Sequence, residues 1–197
     1  MTDEEAALRP ALRTPRAAAI AGIVFSLLLM LALVLVRLAI PGDPRQAGTW
    51  LSDPGKRASV AVALNLVPFA GIAFLWFMGV LRDRIGHHED RFFATVFLGS
   101  GLLFVAMLFV ASAMAGGLLV EAAARSAAAQ KADVLRLGGR VTGILLNIYA
   151  MRMAAVFTIS TVTIALRTRI IPRWLGYLGY AFALVLLVSL GISPWVQ

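Results

Sequence analysis

The strongest constraint in this sequence is a series of five long apolar runs, separated by short segments rich in charge, proline and glycine. The runs cover residues 17–40, 60–81, 92–120, 141–166 and 175–192. A helix needs about 20 apolar residues to cross the hydrocarbon core of a bilayer. Because only helices and closed barrels satisfy every backbone group in lipid, these runs favour membrane-spanning helices. The sequence therefore predicts an all-α integral membrane bundle of five transmembrane helices in a single domain.

The composition agrees with this fold class. Hydrophobic residues make up 60% of the chain, charged residues make up 14%, and the mean hydropathy is +0.87. A net charge of +8 is also found in nucleic-acid-binding proteins. Here the basic residues sit between apolar runs, where they orient membrane helices, so we expect no nucleic-acid partner. The chain has no cysteine, which excludes disulfides, thiolate metal sites and a cysteine nucleophile.

The distribution of basic residues predicts an orientation. The tail at 1–16, the loop at 82–91 and the turn at 167–173 hold nine arginines, against seven lysines and arginines in the two opposite loops. The positive-inside rule then predicts a short cytoplasmic N-terminal tail and an extracytoplasmic C-terminus, in the plasma membrane of a bacterium. The first run is too long for the apolar part of a signal peptide and no cleavage site follows it, so we expect it to be retained.

Arg152 lies near the middle of the fourth run. A charge at that depth costs about 2.5–3.5 kcal/mol on insertion scales and usually faces a protein interior or a wet cavity. The central parts of the apolar runs contain no Asp or Glu to neutralise it. At 100° per residue, Tyr149 shares the Arg152 face, while Asn147, Thr158 and Thr161 share another. Because such a helix is polar on two faces, we expect it in the centre of the bundle.

Polar groups of other runs fall near the depth of Arg152 when residues are counted from the outer ends. Pro68 interrupts the hydrogen bonding of the second run and frees the carbonyl of Leu64, next to Asn65. Ser112 of the third run lies at a similar counted depth.

Three roles for Arg152 follow, and the sequence leaves them open. In the first, Arg152 binds an anion, such as a lipid phosphate or a carboxylate, in an outer-leaflet cavity with Tyr149, Asn65 and Ser112. In the second, it bonds the Leu64 carbonyl, Asn65 or Tyr149 and locks the bundle. In the third, it pairs with an acidic residue of a partner subunit.

The third run also carries small residues four positions apart, the spacing that lets membrane helices approach closely. We expect them to pack inside the bundle rather than to form a homodimer. The predicted packing residues are Ala111, Ser112, Ala115 and Gly116, together with Pro68.

Strong helix formers follow the third run, and Glu121 and Arg125 are spaced for an i,i+4 ion pair. The third helix is therefore predicted to continue beyond the bilayer. Gly138 and Gly139 are predicted to break the pattern before the fourth run begins.

Motifs for catalysis or metal binding are missing from the sequence. There is no phosphate loop, dinucleotide fingerprint or zinc-protease motif. The cluster of His87, His88, Glu89 and Asp90 is the one group with metal-binding side chains. Adjacent histidines do not share a helix face, so we interpret 87–90 as a solvated loop whose acidic residues cap the third helix. We expect no metal, no cofactor and no catalytic residue.

Two stretches resemble uncharacterised bacterial multi-pass membrane proteins, which are grouped as domains of unknown function. They are IIPRWLGYLGY at Ile170–Tyr180 and FMGVLRDR at Phe77–Arg84. The resemblance implies an integral bacterial membrane protein and implies no known activity. In the first stretch, Pro172 is expected to start the last helix, with Arg173 and Trp174 at the membrane interface.

Taken together, these patterns predict a non-catalytic accessory or scaffold subunit of a membrane. The alternative is a small transporter or a lipid- or anion-binding protein with an outer-leaflet cavity centred on Arg152. The expected partners are membrane lipids, among them an anionic lipid, or a partner membrane subunit.

Overall fold

The described residues of this computed structural model are 14–39, 53–85, 91–123, 128–169 and 171–188. A π-helical segment, Leu145–Ala150, joins the helix Ala128–Ile144 to the helix Met151–Arg167. The backbone angles are helical at both ends of the segment, so the two form one continuous helix. The described residues contain no strand, and the predicted all-α fold class is confirmed. The α-helices are α1 (Thr14–Ala39), α2 (Pro54–Ile85), α3 (Arg91–Ala123), α4 (Ala128–Ile144), α5 (Met151–Arg167) and α6 (Arg173–Val188).

Four described helices are long and apolar enough to cross a membrane: Ala19–Ala39, Pro54–Arg82, Phe92–Glu121 and Asp133–Arg167. The protein is therefore a membrane protein. α6 is apolar but has only 16 residues. Its predicted run continues to residue 192, outside the described residues, so a fifth crossing stays a prediction. The N-terminal tail at 1–13 and the loop that holds the histidine cluster also lie outside the described residues.

Two helices begin before their apolar runs. Each has a proline in its first turn, although proline interrupts a helix at interior positions. α2 begins at Pro54, and Asp53 caps it: its carboxylate accepts hydrogen bonds from the backbone N–H groups of Gly55 (2.8 Å) and Lys56 (3.3 Å). α1 includes Pro15, in its first turn. Proline fits the first turn of a helix, where its missing N–H has no carbonyl to bond.

The predicted break at Gly138 and Gly139 is wrong, because α4 runs through both residues. Gly138 is buried, and the side chain of Leu118 in α3 occupies the space next to its Cα. This close approach compensates for the helix propensity that glycine lacks. In the described residues, the third helix extends to Ala123. Residues 128–132, which were predicted to continue the third helix, belong to α4. Arg125 lies outside the described residues, so its predicted pairing with Glu121 stays a prediction.

With α4 and α5 counted as one long helix, consecutive helices pack side by side in alternating directions. α3 lies in the centre of the arrangement. α1 packs on α2 and α2 on α3. α3 also contacts α4, the π segment and α5, and α6 packs on α5. The described helices therefore form a row more than a closed ring, and the faces of the row are exposed.

Five phenylalanines form the core where the row is thickest. The ring centroid of Phe74 lies 4.8 Å from Phe25, 5.4 Å from Phe104 and 4.9 Å from Phe157. Phe97 lies 4.9 Å from Phe157. These contacts connect α1, α2, α3 and α5 at one point, and their tilted geometry is the one that aromatic rings prefer.

Gly101 of α3 tests whether this packing holds the row together. Its Cα lies under the buried side chains of Met78 and Phe157, so Gly101→Val is expected to destabilise the fold by about 1–3 kcal/mol through overpacking. The matched control is Gly99→Val on the same helix, where an added Cβ meets no described atom within 4 Å. Thermal unfolding in detergent should show a lower midpoint for Gly101→Val than for Gly99→Val. Equal midpoints would contradict this account of the core.

Candidate functional site

The contacts between neighbouring helices fix the depth of Arg152. On the long helix, Phe157 lies beside Phe97, and Gly138 lies beside Leu118. Because α3 and α4–α5 run in opposite directions, these pairs place Arg152 level with the stretch around Phe104. That stretch is about 18 Å from Phe92, where the apolar part of α3 begins. Arg152 therefore lies near the middle of the membrane.

Arg152 does not lie inside the bundle. Its side chain is exposed, whereas Ala150 and Ala155, close to it on the same helix, are fully buried. The fourth span, predicted to lie in the centre of the bundle, has the most buried apolar stretch of the four described spans, but Arg152 is on its exposed side. The centre is occupied by α3, and α5 presents its small and aromatic residues to it. Among the described residues, none donates to, accepts from or forms an ion pair with the Arg152 side chain.

The π segment shapes the surface around Arg152. Tyr149 is 51% exposed and Asn147 is exposed, so both accompany Arg152 on the outer surface. Asn147 had been predicted on a different face, on the assumption of regular α-helical spacing. In a π turn the hydrogen bonds run from i to i+5, so the faces predicted from α-helical spacing do not hold across residues 145–150. We call Asn147, Tyr149 and Arg152 the polar face.

The other predicted site residues are not gathered at Arg152. Asn65 and Pro68 are exposed on α2, and Ser112 on α3 is half-buried. The contacts of Phe74 with Phe104 and of Gly71 with Phe109 place Asn65 level with Ser112. Both residues lie about two turns, or about 12 Å, nearer the C-terminal end of α3 than Arg152 does. This separation is within the two to three turns over which the counted depths were expected to agree.

The predicted lock does not form, because Arg152 bonds neither the Leu64 carbonyl nor Asn65 nor Tyr149. Asn65 donates instead to the carbonyl of Ala61 in its own helix, at 2.8 Å. Arg152 also lines neither of two surface grooves in the described part of the chain. Neither of these two grooves therefore gives Arg152 the cavity that a transport site would need. The assignment of Arg152, Tyr149, Asn65 and Ser112 to a ligand site stays a prediction.

The second polar face of the long helix has a local explanation. Thr158 donates to the carbonyl of Ala154 (2.8 Å), and Thr161 donates to that of Phe157 (2.7 Å). Each hydroxyl donates to the carbonyl four residues earlier in its own helix and needs no acceptor on a neighbouring helix. No buried side-chain nitrogen or oxygen of the described residues lacks a hydrogen bond. The threonine face of the helix therefore needs no polar partner on a neighbouring helix.

The predicted packing residues of α3 and α2 are placed unevenly. Ala111 is buried, Ser112, Ala115 and Gly116 are half-buried, and Pro68 is exposed. A Cβ added at Gly116 would meet no atom of the described residues within 4 Å, so the close approach expected there is not found.

The close contacts that the sequence analysis missed lie between α5 and α6. Gly176 packs under Leu166 and Gly179 under Val162, while the hydroxyls of Thr163 and Tyr180 are 2.7 Å apart. Two glycines three residues apart were the available signal, because small residues at one helix face mark close approach.

Catalytic groups are not assembled in the described residues. No group of three or more His, Cys, Asp or Glu side chains is found there that would hold a metal ion. The buried hydroxyls of Ser100 and Ser160 bond carbonyls of their own helices, at 2.6 Å to Val96 and 2.8 Å to Val156. These hydroxyls serve the fold and have no base beside them in that part of the chain.

Comparison with known proteins gives no relative: no family model matches the chain, no curated protein is significantly similar to it, and no solved structure matches its fold. The resemblance of Ile170–Tyr180 and Phe77–Arg84 to uncharacterised bacterial membrane proteins is untested by these comparisons and stays a prediction. The functional argument therefore depends on the polar face itself.

Single cysteines test the position of the polar face, since the natural chain has none. A nitroxide attached at Tyr149→Cys is expected to be mobile and strongly accessible to oxygen, because this position is exposed near mid-membrane. A nitroxide at Asn65→Cys should be about 9 Å shallower by its relative accessibility to oxygen and a polar nickel complex. Equal depths, or an immobile label at Tyr149→Cys in the isolated protein, would contradict the placement.

Proposed function

We propose that this membrane protein is a non-catalytic accessory subunit, and that its polar face binds a membrane helix of a partner protein that carries a carboxylate. One observation supports this most directly. Arg152 is exposed near mid-membrane, and the described residues offer it no hydrogen-bond acceptor or counter-ion. A cation in that position is costly in lipid and becomes favourable when an anion reaches it.

A partner carboxylate suits this depth better than a lipid phosphate does. The headgroups lie about 15 Å from mid-membrane, or nearly three helical turns. Arginine reaches the headgroups easily only near the ends of a helix. A carboxylate on a neighbouring membrane helix, in contrast, can be at the same depth as Arg152, because its depth depends only on its position along that helix. Pairing then replaces an isolated charge in hydrocarbon by a hydrogen-bonded ion pair.

The neighbours of Arg152 complete a surface suited to a helix. Asn147 offers an amide and Tyr149 a hydroxyl, and both are exposed beside the guanidinium. Hydrogen bonds between such side chains on neighbouring membrane helices contribute about 0.6–2 kcal/mol each. π-helical turns also occur frequently at functional sites. The π segment supports the proposal because two of its residues, Asn147 and Tyr149, are exposed as Arg152 is.

The remaining features of the proposal follow the sequence. A bacterial plasma membrane, a cytoplasmic N-terminus and an extracytoplasmic C-terminus agree with the arginine-rich inner segments. A role without catalysis agrees with hydroxyls that bond within their own helices. Under this proposal the activity of the complex belongs to the partner, and this chain contributes assembly or stability.

Photo-crosslinking in cells tests the proposed interface. A benzophenone amino acid is introduced at Tyr149, and at Phe182 of α6 as the control, since both aromatic side chains are more than half exposed. We expect an adduct at Tyr149, and we expect the crosslinked peptide to be a membrane span that contains Asp or Glu. Arg152→Gln should reduce the adduct at least tenfold, whereas Arg140→Gln, which removes an arginine elsewhere on the helix, should leave it unchanged.

Charge exchange provides the second arm. Arg152→Asp should abolish the adduct, and replacing the partner's carboxylate with Arg in the same cell should restore it. The proposal is wrong if the adducts are lipids alone, if the probe attaches to residues of the same chain beyond Val188, or if the yield is unchanged in Arg152→Gln. Arg152→Gln should fold as well as the native chain, because the described residues make no bond to this side chain.

A further inference from the structure

A second exposed surface of the long helix carries two arginines and lies far from Arg152. Arg136 and Arg140 of α4 are one turn apart, and Leu137 beside them is 67% exposed. With Asp133 they line a surface groove of about 260 Å³. The accessory role proposed above uses none of these residues. We call these four residues the arginine groove.

The depth of the arginine groove matches the headgroup layer. Gly138, within the groove's own stretch of helix, packs against Leu118 of α3. Leu118 lies about 39 Å along α3 from Phe92, where the apolar part of the helix begins. Counted from Phe92, a bilayer with its headgroups extends about 40–45 Å, and its hydrocarbon core ends about 5 Å before that, so this contact lies beyond the core and within the headgroup layer. Arg136 and Arg140 thus lie among headgroups, and Arg140 is the closer of the two to the acyl chains.

The charges of the groove add up to one net positive charge. Arg136 is paired with Asp133, whose carboxylate oxygen lies 2.7 Å from its guanidinium nitrogen. Both side chains are about 70% exposed, so this pair contributes little to stability. No described residue pairs with Arg140. The guanidinium groups therefore retain donors for an anion, and a phosphate is the acceptor to which arginine is best matched in geometry.

We propose that the arginine groove is a binding site for a phospholipid that carries one net negative charge. The phosphodiester is held between Arg136 and Arg140 with its glycerol ester against Leu137, and the acyl chains continue past Arg140 into the hydrocarbon core. The observation that supports the lipid is the exposed leucine between two arginines at headgroup depth. A water-soluble phosphate compound would gain nothing from the leucine.

Native mass spectrometry of the purified full-length protein measures this binding directly. The protein is titrated with phosphatidylglycerol, which is anionic, and with phosphatidylcholine, which has no net charge, at equal chain length. We expect tighter binding of phosphatidylglycerol. Arg140→Gln should weaken it about fivefold, as expected for one arginine near the membrane surface, and Arg136→Gln/Arg140→Gln should reduce it to the level of phosphatidylcholine. Asp133→Asn should strengthen it, because it frees Arg136.

The matched control is Arg37→Gln, which removes a single exposed arginine near the end of α1 at the same side of the membrane. Its affinity for phosphatidylglycerol should equal that of the native chain. An equal loss in Arg37→Gln would show a general effect of charge and would overturn the site. Competition by millimolar inorganic phosphate would show that the ligand is a free phosphate and not a lipid. Unchanged thermal unfolding of all variants is expected, because the replaced side chains are exposed.

Discussion

The fold depends on large side chains that pack onto glycine where neighbouring helices meet. In lipid there is no hydrophobic force between apolar helices, so they associate through van der Waals contact and close approach. A glycine lets the neighbouring side chain reach the helix backbone, and such a contact joins every neighbouring pair of described helices. The contacts are Gly22 with Phe77, Gly71 with Phe109, Gly101 with Met78, Gly138 with Leu118 and Gly176 with Leu166.

An interior packed in this way has no place for polar groups that need partners. Ser100 and Ser160 are buried because each hydroxyl reaches a carbonyl of its own helix. A guanidinium has five donors and cannot be satisfied by one local carbonyl. Burying Arg152 would therefore have required a polar pocket that the glycine contacts do not leave. Its exposure is the expected result for a charged residue on a helix whose other face packs against α3.

The sequence was informative where the bilayer acts on one helix at a time. The apolar run at 92–120 predicted a helix that the structure places at Arg91–Ala123, because in lipid an apolar run must satisfy its backbone groups within its own helix whatever its neighbours are. The helix through Gly138 was missed because it depends on Leu118, which belongs to another helix. The surroundings of Arg152 were missed for the same reason, and also because a π segment changed the spacing on which the predicted faces rested. Properties of a single helix were predictable, and the choice of which helices meet was not.

The register of the long helix against α3 is what gives its arginines different roles. Arg152 is 14 residues from Gly138, or about 21 Å along the helix, so the contact that sets one depth also sets the other. A shift by one turn toward the headgroups would bring Arg152 about 5 Å closer to phosphate and would weaken its need for a protein partner. The same shift would move Arg140 about 5 Å farther from the acyl chains. Gly138 and Phe157 hold the helix against α3 on either side of Arg152. Under the two proposals, the guanidinium held at mid-membrane selects a carboxylate, whereas Arg136 and Arg140 select a phosphate.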